Sequence, residues 1–253
     1  MINFNSYSII QNAGFLVSIL TTVLLINILD TSDYGEYVFF ATIIELGFVW
    51  MTFGFELSVN KFKKNNIRLK DLFYSILSIR FINSLLFFFL IFLFSLIYAV
   101  EYSIVVALII VFIAALFNLN FIFFAEKSLT WIATGYFFSK VVFLVLCMVF
   151  LKENPSYELA ILFFSASWLV STLIYFIKGF SVFSFSKIDF SITIKVYKDT
   201  FSLSFLRFAS FIEAFLILYI FKSHLDPVQF GMFAFIISFS KVLSAVGLAF
   251  VIT

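Results

Sequence analysis

Six charged side chains lie within long apolar runs of this chain, and a seventh, Glu56, lies close to the end of one. The six are Glu45, Arg80, Lys140, Arg207, Glu213 and Lys241. A charge in hydrocarbon costs roughly 2.5–3.5 kcal/mol on insertion scales, so such residues usually face a cavity or an opposite charge. Lysine and arginine bind phosphate, whereas membrane carboxylates can relay protons or cations. The chemistry available is therefore anion binding, ion coupling or internal ion pairing.

The four basic residues are predicted to line a cavity that binds an anionic substrate. Lys140 and Lys241 lie near the middle of their apolar runs, from where their stems cannot easily reach the membrane surface. Arg207 lies about a third of the way along its apolar run. Arg80 is close enough to an end that its side chain could extend to the interface. An internal salt bridge that fixes packing is the alternative for each cation, with Glu45 as the partner of Lys241.

The acidic residues suggest a second polar feature. Glu45, Thr52 and Glu56 have the spacing i, i+7 and i+11, which places them on one face if they belong to a single helix. This stripe is predicted to line a proton or Na⁺ path or to pair with the basic residues. Glu213 lies near the end of its run, and either an ion-coupling role or an interfacial position fits it.

Motifs for enzyme chemistry are missing from the sequence. It has no Gly-x-x-x-x-Gly-Lys-Ser/Thr loop for ATP, no paired histidines at metal spacing and no nucleophile elbow. The single cysteine, Cys147, excludes an intrachain disulfide. We therefore expect no catalytic residues, no metal and no cofactor, and a transport process driven by an ion gradient or by the gradient of the cargo.

The elements that must position these residues follow from composition. Apolar residues make up 64% of the 253-residue chain, charged residues only 12%, and the mean hydropathy is +1.16. A soluble domain has roughly a quarter of its residues charged. Runs of about twenty apolar residues match the hydrocarbon thickness of a bilayer, in which each segment must satisfy its own backbone groups as a helix. The predicted fold class is all-α, a polytopic membrane helical bundle.

Eight spans are predicted, at about residues 9–29, 37–59, 72–100, 104–124, 131–151, 157–177, 200–221 and 230–252. If the N-terminus is cytoplasmic, ten basic residues fall in the inner connections and only Lys152 and Lys222 fall in the outer ones. Basic residues are enriched in cytoplasmic loops. The N-terminus is therefore predicted to be cytoplasmic.

An internal repeat predicts two lobes. The stretch 33–41 and the stretch 229–237 each contain an aromatic residue, a glycine, any residue and an aromatic residue, with Gly35 and Gly231 196 positions apart. Six intervening spans give both copies the same orientation, as in two-lobed transporters; chance similarity in a phenylalanine-rich chain is the alternative. We predict a six-helix lobe at 1–177, a cytoplasmic linker at 178–199 and the first two helices of a second lobe at 200–253. The chain is then expected to be a fragment that lacks about four spans of such a repeat.

The second half of the predicted linker is ambiguous. Apolar and polar residues alternate from Ile188 to Tyr197, which is typical of an extended segment. An amphipathic helix at the membrane interface is the usual way to connect two lobes. The sequence leaves both conformations open.

The order of these features resembles a known family. A motif Asp33-Tyr34-Gly35-x-Tyr37 leads into a span with Glu45, Gly47 and Gly54, and a basic run at 61–70 follows. With the linker and the serine- and phenylalanine-rich seventh span, this order is similar to that of bacterial polysaccharide flippases, the O-antigen repeat-unit transporters of the multidrug/oligosaccharidyl-lipid/polysaccharide exporter superfamily. Members of that family have more spans than the eight predicted here.

The resemblance implies a function and a location. It implies a two-lobed helical bundle in the bacterial inner membrane, with a central cavity. The cargo would be a polyprenyl-pyrophosphate-linked oligosaccharide, moved from the cytoplasmic to the periplasmic leaflet. The lipid bilayer and other polysaccharide-assembly membrane proteins are the implied partners, and nucleic acid is not one.

Three alternatives compete with this prediction. A cation-coupled multidrug exporter of the same superfamily needs an acidic cavity and could do without the embedded cations. An O-antigen polymerase or acyltransferase, a membrane-embedded enzyme, has similar composition but resembles chains with a large outer loop, and every outer loop here is short. A nonfunctional remnant is the third alternative, because the second lobe is predicted to be incomplete.

Overall fold

A computed structural model describes residues 4–64, 69–97, 101–179 and 190–251 of the chain. Within these ranges, the side chains outside the description are those of residues 4–5, 57, 63–64, 69–70, 94–97 and 241–251. All regular structure in the described residues is helical. The predicted all-α class is confirmed.

Ten α-helices follow one another along the described chain. They are α1 (Phe4–Ile28), α2 (Thr31–Thr52), α3 (Phe55–Lys64), α4 (Leu69–Ile97), α5 (Tyr102–Leu116), α6 (Asn120–Ala125), α7 (Leu129–Leu146), α8 (Tyr157–Gly179), α9 (Phe190–His224) and α10 (Pro227–Val251). A π-helical turn, Cys147–Leu151, extends α7.

Seven helical segments among the described residues are long and apolar enough to cross a membrane. The eighth predicted span corresponds to α10, whose described side chains end at Ser240. Helix α2 is central, since 72% of its apolar window is buried, compared with 17% for α1 and 11% for α9. The fold therefore defines an all-α polytopic membrane bundle in which most apolar surface of α1 and α9 is left outward, where a bilayer would cover it.

The second predicted span ends earlier along the chain than expected. We predicted one helix over 37–59, but α2 ends at Thr52, because Phe53 and Gly54 adopt left-handed backbone conformations with φ values of 53° and 60°. Two consecutive left-handed residues end the helix, and glycine adopts this conformation at little cost. Glu56 therefore lies on the separate helix α3, and the predicted stripe of Glu45, Thr52 and Glu56 on one helix face was wrong.

The part of the predicted linker that the structure describes is helical. Residues from Phe190 onward form the first turns of α9 and continue without a break into the seventh span. Val196 and Thr200 on this segment are fully buried, which explains part of the alternating pattern. Residues 180–189 of the predicted linker lie outside the described residues.

The two ends of the bundle differ. The α1–α2 turn at Asp30 and the α9–α10 turn at Asp226 lie at one end, which we call the Asp30 end. Helices α3 and α6 pack together at the other end, which we call the α3 end. Helices α2 and α10 run from the Asp30 end towards the α3 end, and α4 and α9 run in the opposite direction.

The two turns at the Asp30 end have the same construction. The Asp30 side chain accepts a hydrogen bond from the Asp33 backbone N–H at 2.8 Å, and the Asp226 side chain accepts one from the Gln229 N–H at 2.9 Å. Both pairs of residues are offset by 196 positions, as Gly35 and Gly231 are. Each aspartate caps the N-terminus of its helix. The hydrogen bond from the Asp33 N–H also lowers the pKa of Asp30, because it stabilises the carboxylate.

The glycines of the repeat allow α2 and α10 to pack closely. A Cβ atom at Gly35 would lie 3.0 Å from the Cα of Gly231. A Cβ atom at Gly231 would overlap the backbone carbonyl of Thr31. The absence of side chains at both positions therefore brings the two helices into direct backbone contact.

Candidate functional site

Three charged residues lie near the α3 end and are called the Glu56 cluster: Glu56 on α3 and Arg80 on α4, which are buried, and Arg207 on α9, which is partly exposed. Glu56 forms an ion pair with Arg207 through its Oε1 atom. The Glu56 side chain is 6% exposed and that of Arg207 is 38% exposed. Arg80 is near enough to Glu56 for their charges to attract each other, but no ion pair or hydrogen bond joins the two side chains. With two guanidinium groups and one carboxylate, the cluster has a net charge of +1.

Arg80 is the most deeply buried member of the Glu56 cluster. It is 1% exposed, so its side chain is enclosed by the protein. Its Nη1 donates a hydrogen bond to the backbone carbonyl of Asn118, and its guanidinium carbon lies 5.6 Å from the centre of the Phe121 ring. Within the described part of the chain, Nε and Nη2 of Arg80 have no hydrogen-bond partner, and neither has Oε2 of Glu56.

The Arg80 nitrogen atoms without a hydrogen-bond partner could bind a further group. Buried polar groups are hydrogen-bonded in the great majority of proteins, so each exception needs an explanation. A guanidinium presents several N–H groups in a fork that matches a carboxylate or a phosphate. Arg80 therefore has donors available for an anion inside the bundle.

Helix α3 holds Glu56 against α9. Phe55, Val59 and Phe62 are fully buried on one side of α3, which anchors this short helix in the bundle. Ser58 and Thr200 form a hydrogen bond of 2.9 Å between their hydroxyl groups. The Ser204 hydroxyl donates to the backbone carbonyl of Phe53, so the break that ends α2 is also held against α9. These contacts determine where the Glu56 carboxylate meets Arg207.

A second charged group lies between α1, α2, α7 and α8. The Nζ atom of Lys140 lies 5.3 Å from the centre of the Tyr136 ring and 5.6 Å from that of Phe164. Glu45 on α2 is near enough for its charge to act on Lys140, but the two side chains form no ion pair. The Tyr136 hydroxyl lies 3.3 Å from that of Ser18. We call Glu45, Lys140, Tyr136 and Phe164 the Lys140 cluster.

The structure does not bring all predicted site residues together. Arg80 and Arg207 share Glu56, whereas Lys140 lies with Glu45 in a separate cluster. Glu213 is exposed on the outside of α9 and joins neither cluster. Lys241 belongs to α10, but its side chain and its predicted pairing with Glu45 lie outside the described residues.

A polar contact beside the Glu56 cluster was not predicted. The Trp50 indole N–H donates to the backbone carbonyl of Asn83 at 3.0 Å, and the Asn83 side chain donates to the carbonyl of Trp50 at 3.3 Å. Arg80, Asn83 and Ser84 are all buried and lie on one face of α4. The spacing i, i+3 and i+4 of three polar residues in an apolar run is the signal that could have found this face.

Two other ion pairs lie near the helix ends, and neither contains a side chain as buried as that of Glu56. Lys222 on α9 pairs with Glu36 on α2 at the Asp30 end, and both side chains are about 30% exposed. Lys61 and Asp199 pair at 3.3 Å near the α3 end, with the lysine 58% exposed. Exposed pairs stabilise a protein by about 1 kcal/mol or less. These pairs are therefore controls for the buried charges and not candidates for a site.

No protein-family model, curated protein or solved structure matches this chain. The fold itself defines the class, an all-α polytopic membrane protein. The resemblance to the polysaccharide flippases rests on the sequence features given above.

Proposed function

We propose that this chain is a flippase for a polyprenyl-pyrophosphate-linked oligosaccharide, an O-antigen or related polysaccharide repeat unit. The proposed direction is from the cytoplasmic to the periplasmic leaflet of the bacterial inner membrane, with the N-terminus of the chain in the cytoplasm. The proposed process uses no cofactor. Its proposed partners are the lipid-linked oligosaccharide, the bilayer and other polysaccharide-assembly membrane proteins.

The observation that carries this proposal is the burial of Arg80 with two nitrogen atoms that have no hydrogen-bond partner among the described residues. A charge at such a position is costly unless it has a function or a full set of partners. The Glu56 carboxylate compensates only one of the two guanidinium groups of its cluster. The remaining positive charge suits an anionic group such as a pyrophosphate.

Lys140 supports the same function in a different way. It lies over the Tyr136 and Phe164 rings and in the same part of the bundle as Glu45, but no ion pair joins it to a carboxylate among the described residues. A cation without a direct ion pair is available to a cargo phosphate during transport. In the proposal, Arg80 and Arg207 receive the cargo, and Lys140 binds it at another stage of the cycle.

A complementation experiment tests the proposed function. The chromosomal locus is deleted, and the strain receives the wild-type chain, Arg80→Gln, Arg80→Lys, Lys140→Ala or Lys241→Ala. We expect polyprenyl-linked repeat units to accumulate in the deletion strain and with Arg80→Gln, and partial activity with Arg80→Lys, which retains the charge but loses the fork. Lys222→Gln is the matched control, because it removes a cation that is about 30% exposed and ion-paired at the opposite end of the same bundle.

Protein amounts in the membrane separate a loss of transport from a loss of folding. If Arg80→Gln is present at the wild-type amount and surface polysaccharide is lost, the cation is needed for transport. Normal surface polysaccharide in the deletion strain would contradict the proposed function. Increased sensitivity of that strain to cationic drugs would then favour the multidrug exporter.

A further inference from the structure

An apolar groove runs between α2, α4 and α9 and has a volume of about 180 Å³. Its wall includes Ile43, Leu46, Trp50, Leu90, Phe208 and Phe215. Leu90 is 54% exposed on the outside of the bundle, so the groove opens towards the position of a bilayer. Apolar cavities of roughly 150 Å³ stay free of water and take up hydrocarbon, which makes a hydrocarbon chain the natural occupant.

One end of the groove lies beside the Glu56 cluster. The Trp50 and Phe208 rings meet there with their centres 4.6 Å apart, and Phe208 directly follows Arg207. Asn83, which pairs with Trp50, lies one helical turn from Arg80 on α4. A molecule with an anionic head and a hydrocarbon chain could therefore place its head at the arginines and its chain in the groove.

A second groove serves as an internal comparison. It lies between α1 and α10, has a volume of about 180 Å³, and is lined by residues that include Ile19 and Phe239. These two residues correspond to Phe215 and Ile43 of the first groove under the offset of 196 positions. The same offset places Gln11 where the first groove has Arg207. The two grooves thus have similar size, but only the first has this arginine.

We propose that the groove between α2, α4 and α9 holds the hydrocarbon chain of a phosphate-headed lipid, whose head group binds Arg207 and Arg80. This inference rests on the proposed function, because it assigns the chain of the cargo lipid to a place in the structure. Cationic pockets between membrane helices are known to bind lipid phosphates, and apolar pockets with a few polar groups at one end are typical of ligand sites. A lipid of the bulk bilayer with no preference for a phosphate head is the competing occupant.

Tryptophan fluorescence can test this assignment, because Trp50 lies in the groove wall. The chain contains three tryptophans, and Trp131→Phe with Trp168→Phe leaves Trp50 as the single reporter. A second reporter, for the α1–α10 groove, replaces all three by phenylalanine and adds Phe235→Trp. Both proteins are placed in phosphatidylcholine nanodiscs with small amounts of chain-brominated phosphatidic acid or chain-brominated phosphatidylcholine.

We expect brominated phosphatidic acid to quench Trp50 with an apparent affinity roughly fivefold higher than that of brominated phosphatidylcholine, about 1 kcal/mol at 1.4 kcal/mol per factor of ten. The reporter at position 235 should show no such preference. Arg207→Gln should remove the preference at Trp50. Lys222→Gln, at the opposite end of the membrane-spanning part of α9, should leave it unchanged.

Two further measurements test the groove and the cargo. Leu90→Phe narrows the groove and should weaken quenching of Trp50, whereas Leu86→Phe, on the same helix and with a similar exposure, should not. Unbrominated polyprenyl phosphate should displace brominated phosphatidic acid and restore the fluorescence.

Three outcomes would overturn the inference: equal quenching by both lipids, a preference that survives Arg207→Gln, or no displacement by polyprenyl phosphate. Quenching measures binding and needs no translocation. A phosphate preference at Trp50 together with normal surface polysaccharide in the deletion strain would therefore reject the proposed function and leave the lipid site in place. Equal quenching by both lipids together with a loss of surface polysaccharide in the deletion strain would reject the lipid site and leave the proposed function in place.

Discussion

At the scale of single residues, the Glu56 cluster depends on one carboxylate that serves two arginines. Glu56 is almost fully buried, whereas Arg207 is 38% exposed and can interact with water. Arg80 is fully buried and has no other acidic partner among the described residues. A buried charge that loses its partner is strongly destabilising, because its desolvation is no longer compensated. Glu56 is therefore expected to stabilise the bundle through its ion pair with Arg207 and through its attraction for the buried Arg80.

Replacement of Glu56 should measure how much this carboxylate contributes to stability. We expect Glu56→Gln to lower the free energy of unfolding by about 3 kcal/mol, since it leaves a buried guanidinium without a counter-charge. Glu36→Gln removes the carboxylate of the Lys222 pair, whose side chains are about 30% exposed, and should cost about 1 kcal/mol or less. Thermal unfolding in detergent measures both variants. Equal losses for the two substitutions would show that the Glu56 cluster is well solvated.

The residues of the candidate site could be predicted from the sequence, but their grouping could not. Arg80, Arg207 and Glu56 were found because charges in apolar runs are costly. Their contact joins positions separated by up to 151 residues, and helix packing determines it. The unused donors of Arg80 likewise depend on where the Asn118 carbonyl lies, which hydropathy does not record.

At the scale of helices, hydropathy predicted which segments cross the membrane but not where α2 ends. The apolar run continues through Phe53 and Gly54, so a window of hydropathy contains no break there. The break arises from the left-handed conformations of these two residues and from their contacts with α9, such as the hydrogen bond from Ser204. The glycine was the only local signal, and a lone glycine in an apolar run is a weak one.

The contact of α2 with α10 gives a prediction at this scale. Gly231→Ala places a methyl group against the Thr31 carbonyl, and overpacking of this kind costs about 1–3 kcal/mol or more. We expect a lower melting temperature for Gly231→Ala. Gly179→Ala is the control, because its nearest neighbour is the flexible end of Leu119 at 3.1 Å and alanine favours a helix. If both variants melt at the wild-type temperature, the helices can separate without loss of stability.

At the scale of the whole molecule, the offset of 196 positions connects several independent features. It relates the capping aspartates Asp30 and Asp226, the packed glycines Gly35 and Gly231, and the two grooves at the sides of the α2–α10 pair. An aspartate commonly caps a helix in this way, so the two capping hydrogen bonds also arise without a duplication. The two-lobed arrangement stays a prediction, in which the difference between Arg207 and Gln11 would give the two halves different chemistry.

The orientation of the bundle gives the last prediction. Of the basic residues assigned to inner connections, those that the structure describes, such as Lys61, Lys127 and Lys178, lie towards the α3 end, and Lys152 and Lys222 lie towards the Asp30 end. By the positive-inside rule the α3 end should face the cytoplasm. Cys147 is the only cysteine and is buried, so Cys147→Ser gives a background without thiols.

In that background, Ser223→Cys places a thiol at the Asp30 end and Asn60→Cys places one on α3, and both positions are exposed. We expect a membrane-impermeant maleimide to label Ser223→Cys in intact spheroplasts and Asn60→Cys only after the membrane is opened. This result would place Arg80 and Arg207 in the cytoplasmic half of the membrane, where a lipid-linked cargo from the inner leaflet would first meet them. Labelling in the opposite order would place the arginines in the outer half, and they could then bind the cargo only at its release.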